Sequence, residues 1–338
     1  MSFKRETPWD IQLHRAAIKG DRATIIKCCG SGRVHVDCRD SDGTTPLMFA
    51  VARCHYDCVQ ELLEQGAEPN LRRSETGASS LFLAAQNGDL ETMRLLLQYS
   101  AIVDHPNLDG GTPLFVACQG GHELAVRELL AVGASPNYPM KDKATPLFVA
   151  AQNGHYLIVK ILLDRGAIID AKRTDGATPL WIAAQMGWED ICYALIERGA
   201  DVNALRQDGA SPLFKAAHKG YLGVCKTLLR SRPYLGLLPI GETTLHGAIM
   251  FGHLDVVKLL IKFGADPNIR NQDGLTAYEF SLRYNNRRIS EYLRSLHVEE
   301  AHEDAASASS SSSVATAVST PPNTPIKSVT GSKRQTTV

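Results

Sequence analysis

The sequence predicts an all-α solenoid of about nine helix–turn–helix units, followed by a tail without regular structure. Three observations predict it. A Thr/Ser-Pro-Leu phrase returns at a nearly constant interval, glycines recur at fixed places within each interval, and the pattern disappears after residue 298.

The phrase reads Thr45-Pro46-Leu47, then Ser79-Ser80-Leu81, Thr112-Pro113-Leu114, Thr145-Pro146-Leu147, Thr178-Pro179-Leu180 and Ser211-Pro212-Leu213. Thr243-Thr244-Leu245 and Thr276-Ala277-Tyr278 continue it, at steps of 34, 33, 33, 33, 33, 32 and 33 residues. A Thr or Ser oxygen suits a helix N-cap, and Pro at the first helical position gives up only an N–H that has no partner there. Small residues follow three positions after the Leu: Ala84-Ala85, Ala117-Cys118, Ala150-Ala151, Ala183-Ala184 and Ala216-Ala217. They let the first helices of neighbouring units approach closely. Gly20, Gly88, Gly121, Gly154, Gly187, Gly220 and Gly252 then close that short helix in a left-handed conformation.

A second amphipathic helix follows, as in the Val256–Ile261 run, and Gly66, Gly133, Gly166, Gly199 or Gly264 ends it. Asp-Gly pairs at 42–43, 109–110, 175–176, 208–209 and 273–274 predict a tight turn before the next cap.

These motifs resemble the ankyrin repeat, and the resemblance covers residues 8 to 298. It sets units near 7–40, 41–74, 75–107, 108–140, 141–173, 174–206, 207–238, 239–271 and 272–298, a solenoid domain over 1–298, and a Ser/Thr-rich tail over 299–338. Some units depart from the pattern. The first has Ile11-Gln12-Leu13 in place of the phrase, and the last has Asn285 at a glycine position. Both read as capping units, whose outer face must be polar. Lys143 replaces a turn glycine and should alter that turn. The run 230–241 replaces the Gly-Ala stop and loses one residue, so an irregularity in the solenoid's curvature is expected there.

Composition removes several function classes. The 36 basic and 36 acidic residues cancel, whereas an electrostatic grip on nucleic acid or anionic lipid needs a basic excess. The start has no secretory apolar stretch, and no window reaches the ~18 apolar residues needed to cross a bilayer. Eight scattered cysteines read as reduced thiols of a cytoplasmic protein, the nucleus remaining open. No phosphate-binding glycine loop, dinucleotide fingerprint or zinc-protease motif is present. Cys54, His55 and Cys58 lack an evident fourth metal ligand. The expectation is therefore a monomeric protein with no catalytic residues, no cofactor and no metal.

The ankyrin resemblance implies a protein partner on the groove face of the first helices. The matching positions are Gln86-Asn87, Gln119-Gly120, Gln152-Asn153, Gln185-Met186, His218-Lys219 and Met250-Phe251. An uncharged glutamine ladder suits hydrogen bonding to a polypeptide, although solvated helix ends are the plainer alternative. Phe82, Phe115, Phe148, Trp181 and Phe214 form a second column, with His246 continuing it. They read as binding anchors or as packing between units. A basic column, Arg39, Arg73, Lys172, Arg173, Arg206 and Arg270, reads as a receptor for an acidic or phosphorylated segment or as a solvated edge. Asn203 resembles targets of the asparaginyl hydroxylase that modifies ankyrin repeats, with Asn70, Asn137 and Asn268 in the same place; turn hydrogen bonding competes.

The tail is too poor in apolar residues to offset chain entropy and reads as disordered. Its Thr320-Pro321 and Thr324-Pro325 resemble proline-directed kinase sites. Its end, Thr336-Thr337-Val338, resembles a class I PDZ ligand, in which Val338 fills an apolar pocket and the Thr336 hydroxyl bonds a polar side chain. The leading expectation is an adaptor that holds one protein on its groove and a PDZ-domain protein at its C-terminus. A recognition subunit of a larger regulatory assembly, without PDZ tethering, is the alternative, and an enzyme or metal protein is the third reading.

Overall fold

The computed structural model describes residues 6–296. Helices come in pairs: α1 (Pro8–Lys19) and α2 (Arg22–Gly30), α3 (Pro46–Ala52) and α4 (Tyr56–Glu64), α5 (Ser80–Asn87) and α6 (Leu90–Gln98), α7 (Pro113–Gly120) and α8 (Glu123–Ala131). Then follow α9 (Pro146–Asn153) and α10 (Tyr156–Asp164), α11 (Pro179–Met186) and α12 (Glu189–Glu197), α13 (Pro212–Lys219) and α14 (Leu222–Leu229), α15 (Thr244–Met250) and α16 (Leu254–Lys262). α17 (Ala277–Arg283) opens a ninth pair, and residues 287–290 turn helical again. Among the described residues only an isolated bridge, Arg72 to Ser79, has β geometry. One compact unit ends at Ser290 and a second begins at Glu291; of the latter, residues 291–296 are described, and they are helical.

The caps follow the sequence phrase. Thr45, Ser79, Thr112, Thr145, Thr178, Ser211, Thr243 and Thr276 are N-caps whose side-chain oxygen accepts the backbone N–H three residues on. The first unit corrects the sequence reading. Leu13 keeps its buried register, but Thr7-Pro8 supplies the cap one turn earlier, with a reciprocal bond between Thr7 and Asp10, so α1 runs to 12 residues. The Leu of each phrase from Leu13 to Leu245 is at most 1 % exposed, and the Ala pairs from 84 to 217 are fully buried. Odd-numbered helices pack on odd-numbered helices and even on even. Each unit therefore buries its apolar face chiefly against its neighbours.

Left-handed backbone is a property of position here rather than of residue type. Among the described residues five non-glycine residues have positive φ: Cys54, Ser100, Lys143, Arg232 and Asn285. Each stands where other units place a column glycine. Lys143 thus leaves its turn unaltered, against the sequence expectation. Its N–H donates to the Met140 carbonyl at 2.8 Å, as Gly176 does to Arg173 at 2.8 Å. The conformation is kept and the strain is borne by a side chain at φ +66°. Lys143→Gly is expected to stabilise the chain by about 0.5–1 kcal/mol, relief of strain outweighing the added freedom of the unfolded chain. A urea midpoint at or below that of the parent would contradict this.

Successive turns are tied by backbone hydrogen bonds: Ser74 N–H to the Asp42 carbonyl, Leu108 to Thr76, Lys141 to Asp109, Thr174 to Asp142, Gln207 to Asp175 and Gln272 to Gly241, all 2.8–2.9 Å. No such bond joins Ile240 to the turn at Asp208. The residue lost from the seventh unit comes out of its link, where Leu238 packs with Ala210 and Phe214 and is flanked by Leu205 and Ile240. α13 and α15 remain directly packed, so the irregularity that the structure shows is local to that link.

Candidate protein-binding face

Because the odd-numbered helices stand side by side, their C-terminal ends form a row. Gln86 and Asn87 end α5, Gln119 ends α7 beside Gly120, Gln152 and Asn153 end α9, Gln185 and Met186 end α11, and His218 and Lys219 end α13. Gln86, Asn87, Gln119, Asn153, Met186 and Lys219 are exposed; Gln152, Gln185 and His218 are half-buried.

The structure separates residues that the sequence treated alike. The Asn87 amide donates to the Val51 carbonyl at 3.3 Å and to Cys54 Sγ, and the Asn153 amide donates to the Gln119 carbonyl at 3.0 Å. Those two amides brace neighbouring units. The side-chain amides of Gln86, Gln119, Gln152 and Gln185 make no hydrogen bond among the described residues. Their backbones are occupied: the Gln86, Gln119 and Gln152 carbonyls accept from His122, His155 and Trp188 at 3.0–3.1 Å. His253 bonds the His218 carbonyl in the same way at 3.2 Å. Since a carbonyl only accepts, each of these histidines carries its proton on Nε2. The row is thus a rigid backbone carrying unengaged amides.

The aromatic column lies inside. Phe82, Phe115, Phe148, Trp181 and Phe214 are 1–7 % exposed, and Trp181 Nε1 donates to the Ala210 carbonyl at 2.9 Å. Burial to this degree leaves the rings little face to offer a partner. Cations cover three of them. The Arg173 guanidinium lies 5.0 Å from the Phe148 centroid and Arg206 lies 5.1 Å from Trp181; Lys215 lies 5.7 Å from Trp181 and 5.8 Å from Phe214. These cations share two carboxylates. Arg173 and Arg206 reach Asp175 at 2.6 and 3.0 Å, and Arg206 and Lys215 reach Asp208 at 3.3 and 3.6 Å. The Arg173 fork, then the Ala177 N–H and Arg206, hold the Asp175 carboxyl well below its ordinary range despite partial burial. Arg270 is engaged too, by Glu279 at 3.0 Å. Much of the basic column is therefore committed within the fold.

A second ladder went unread in the sequence. Asp37, Asn70, Asp104, Asn137, Asp170 and Asn203 recur at the period, and each side-chain oxygen accepts a backbone N–H from the following link: Glu68, Ile102, Ser135, Ile168, Asp201 and Tyr234, at 2.7–3.3 Å. Only the asparagines had drawn notice, because the Asp/Asn alternation hides one shared acceptor. Asn70 and Asn137 also donate to the Ser100 and Gly166 carbonyls, at 3.1 and 3.0 Å. A carboxylate cannot donate. Burial raises the Asp104 carboxyl above 3.8, offset in part by the Ser135 N–H. A folded-state pKa above the unfolded one means that stability falls as pH rises through that window, so the whole cost is present at neutral pH. Asp104→Asn is expected to add about 1 kcal/mol at pH 7 by gaining a donor toward Gly133. The gain should shrink below pH 4, and urea titrations at pH 7 and 3.5 measure both. Equal gains at the two pH values would show that charge burial is not the cause.

Asn203 is exposed, beside an apolar recess of about 260 Å³ lined by Leu205, Ser211, Tyr234, Leu238 and Pro239. Among the described residues Asn268 accepts no inter-link bond; its N–H donates to Asp266 at 2.8 Å. Thr320, Thr324, Thr336 and Val338 lie outside the described residues. Cys54, His55 and Cys58 do not converge: Cys54 is exposed, Cys58 is buried, and His55 Nε2 bonds the Ile18 carbonyl at 3.1 Å. Among the described residues no group of three or more His, Cys, Asp or Glu is placed to hold a metal ion. None of their helices is long and apolar enough to cross a membrane.

Comparison with known proteins agrees with this architecture. Ankyrin repeat domain-containing protein 29 of Danio rerio is 52% identical over 73 residues, 22% of this chain and 24% of that protein; its Homo sapiens counterpart is 53% identical over the same length and shares. Inversin of Gallus gallus is 36% identical over 101 residues, 30% of this chain and 9% of its own. This chain thus spans about a quarter of the first of these relatives. A family model described as ankyrin repeats (3 copies) matches residues 13–107, 81–173 and 168–237, and a single ankyrin repeat matches 240–272. With capped helix pairs, left-handed glycine columns and these matches running together along most of its length, the chain belongs to the ankyrin-repeat family.

Proposed function

We propose that the chain is a non-enzymatic scaffold that binds a protein along the row of odd-numbered helix ends. Ankyrin repeats in general bind proteins. The observation that carries the reading to this face is the set of unengaged amides at Gln86, Gln119, Gln152 and Gln185, the first three held on backbones whose own carbonyls are already bonded. A side-chain amide both donates and accepts, so a column of them matches the alternating groups of another polypeptide's main chain. As an adaptor, the chain would also present Thr336 and Val338 to a PDZ domain.

Affinity purification with three chains tests both halves: the parent, one lacking Val338, and one with the four glutamines changed to alanine. The glutamine variant should lose its groove partner at unchanged melting temperature, and the Val338 deletion should lose only a PDZ protein. A full partner set on the glutamine variant would overturn the groove reading. Retention of every partner without Val338 would favour a recognition subunit of a larger assembly. For Asn203, mass spectrometry should find one added oxygen in cells containing the asparaginyl hydroxylase, and an unmodified residue there would remove that role. The cytoplasmic placement draws support from the thiols. All eight cysteines are free, and burial raises Cys118 and Cys192 strongly and Cys225 to about 12, which leaves them protonated and inert.

A further inference from the structure

The row of helix ends changes character along the chain. At the second position of each end the residues are Asn87, Gly120, Asn153, Met186, Lys219, Phe251 and, one unit on, Tyr284. The middle units are polar and neutral. The later ones expose large apolar surface: Met186 is 43%, Phe251 55% and Tyr284 43% exposed. The His218 ring lies 4.2 Å from Phe251, tilted, and 6.1 Å from Phe214, so Phe251 is the outer member of an aromatic stack rooted in the core. His218 Nδ1 is buried and has no hydrogen-bond partner.

Lys215 and Lys219 bring positive charge to this end of the row, and the nearest exposed carboxylate on the next unit is Asp255. Lys219 is exposed and forms no ion pair among the described residues, and Lys215 lies one helical turn before it on the same helix. Asp208, the carboxylate nearest Lys219 in sequence, and Asp175 are engaged by Arg173, Arg206 and Lys215. The His218 imidazole registers this field. Burial first, and then Lys215, Lys219 and His253, push its pKa below the ordinary value. An exposed aromatic platform beside an unpaired ammonium complements a segment that offers an apolar side chain to Phe251 and a carboxylate to Lys219.

We propose that Met186, Lys219, Phe251 and Tyr284 form a docking point for an acidic peptide segment carrying a bulky apolar side chain, while the glutamines toward the N-terminus hold the segment's backbone. The inference rests on the groove reading above and gives the partner a chemistry and a direction.

The test uses a random peptide library displayed on phage and selected on the full chain. Recovered peptides are synthesised with a fluorophore and titrated against the parent, Phe251→Ala, Lys219→Glu and the double variant Gln86→Ala/Gln119→Ala. The selected sequences should be acidic with a Trp, Phe or Leu. Phe251→Ala and Lys219→Glu should each weaken binding about tenfold or more, and affinity should fall with added salt. Phe251 and Lys219 are both exposed, and melting curves confirm that each variant is folded. Neutral or basic sequences, or affinities unmoved by both variants, would overturn the proposal. If peptides bind and only the glutamine variant loses them, this inference falls and the groove reading stands. If nothing is enriched, both fall.

Discussion

Gly121→Ala is expected to destabilise the chain by about 3 kcal/mol, although it adds a single methyl group. Gly121 closes α7 at φ +77°, and an added Cβ would sit 2.6 Å from His155 Cε1 and 2.9 Å from Nδ1. Left-handed backbone at a side-chain-bearing residue costs roughly 1–2 kcal/mol. Displacing the ring would break its bond to the Gln119 carbonyl, about 1 kcal/mol more. Gly133 separates the two effects. Its φ is +95° and nothing lies within 4 Å of its added Cβ, so Gly133→Ala should cost only the strain, about 1–2 kcal/mol. Equal urea midpoints for the two variants would show that the close approach is harmless. The chain contains its own version of a rescue. Cys54 stands in the same column as Gly121, and the next unit places Asp89 where most others have a ring, His, Trp or Tyr. Combining Gly121→Ala with His155→Asp should therefore recover about 1 kcal/mol relative to additivity.

Trp181→Ala should cost about 3–5 kcal/mol, the range for emptying a buried large ring. Trp181 is 2% exposed, sits beneath Arg206 and Lys215, and anchors the Ala210 carbonyl of the next link through Nε1. Trp181→Phe keeps most of the ring and leaves that carbonyl without its donor, so a loss nearer 1–2 kcal/mol is expected. Thermal unfolding and partner binding, measured on the same samples, decide the column's role. Stability kept while binding falls would mean that the rings serve a partner rather than the stack.

The fold was legible because each unit repeats a short-range rule. A Thr or Ser cap, a Pro at the first turn and a glycine at the last determine a helix locally, and the 33-residue period states what packs on what. The register of Leu13 was legible too, but the cap at Thr7 was not. It lies a turn outside the frame, and the reciprocal bond with Asp10 appears only once the chain is folded. The turn at Lys143 was misread because glycine at a turn was taken as a requirement rather than a preference; four backbone bonds, Met140 N–H to Ala144, Lys143 to Met140, Lys141 to Asp109 and Thr174 to Asp142, impose the conformation on whatever residue is present. The Asp/Asn ladder was missed for a chemical reason. Asp and Asn look different by charge and are alike in the one oxygen that the neighbouring N–H needs. On the binding face, the sequence aligned Asn87 with Gln86 as equal contributors. Position decides otherwise: the amide next to the loop glycine bonds the preceding unit's backbone, Asn87 to Val51 and Asn153 to Gln119, whereas the residue before it makes no such bond.

The link of the seventh unit leaves a seam. The Ile240 N–H has no partner in the preceding turn, and Gly236 stands where a ladder oxygen would receive the N–H at Asp266. In a one-dimensional array, cooperativity is the sum of such couplings between neighbours, and a chain with one weak coupling divides there before it melts elsewhere. Opening should begin with the two units beyond Ile240, giving amides in α15 and α16 that exchange hydrogen faster than those in α7 to α12 while the earlier units stay closed. A binding face that crosses this seam would then gain rigidity only when occupied, so that a ligand bridging both sides raises the cooperativity of the whole stack.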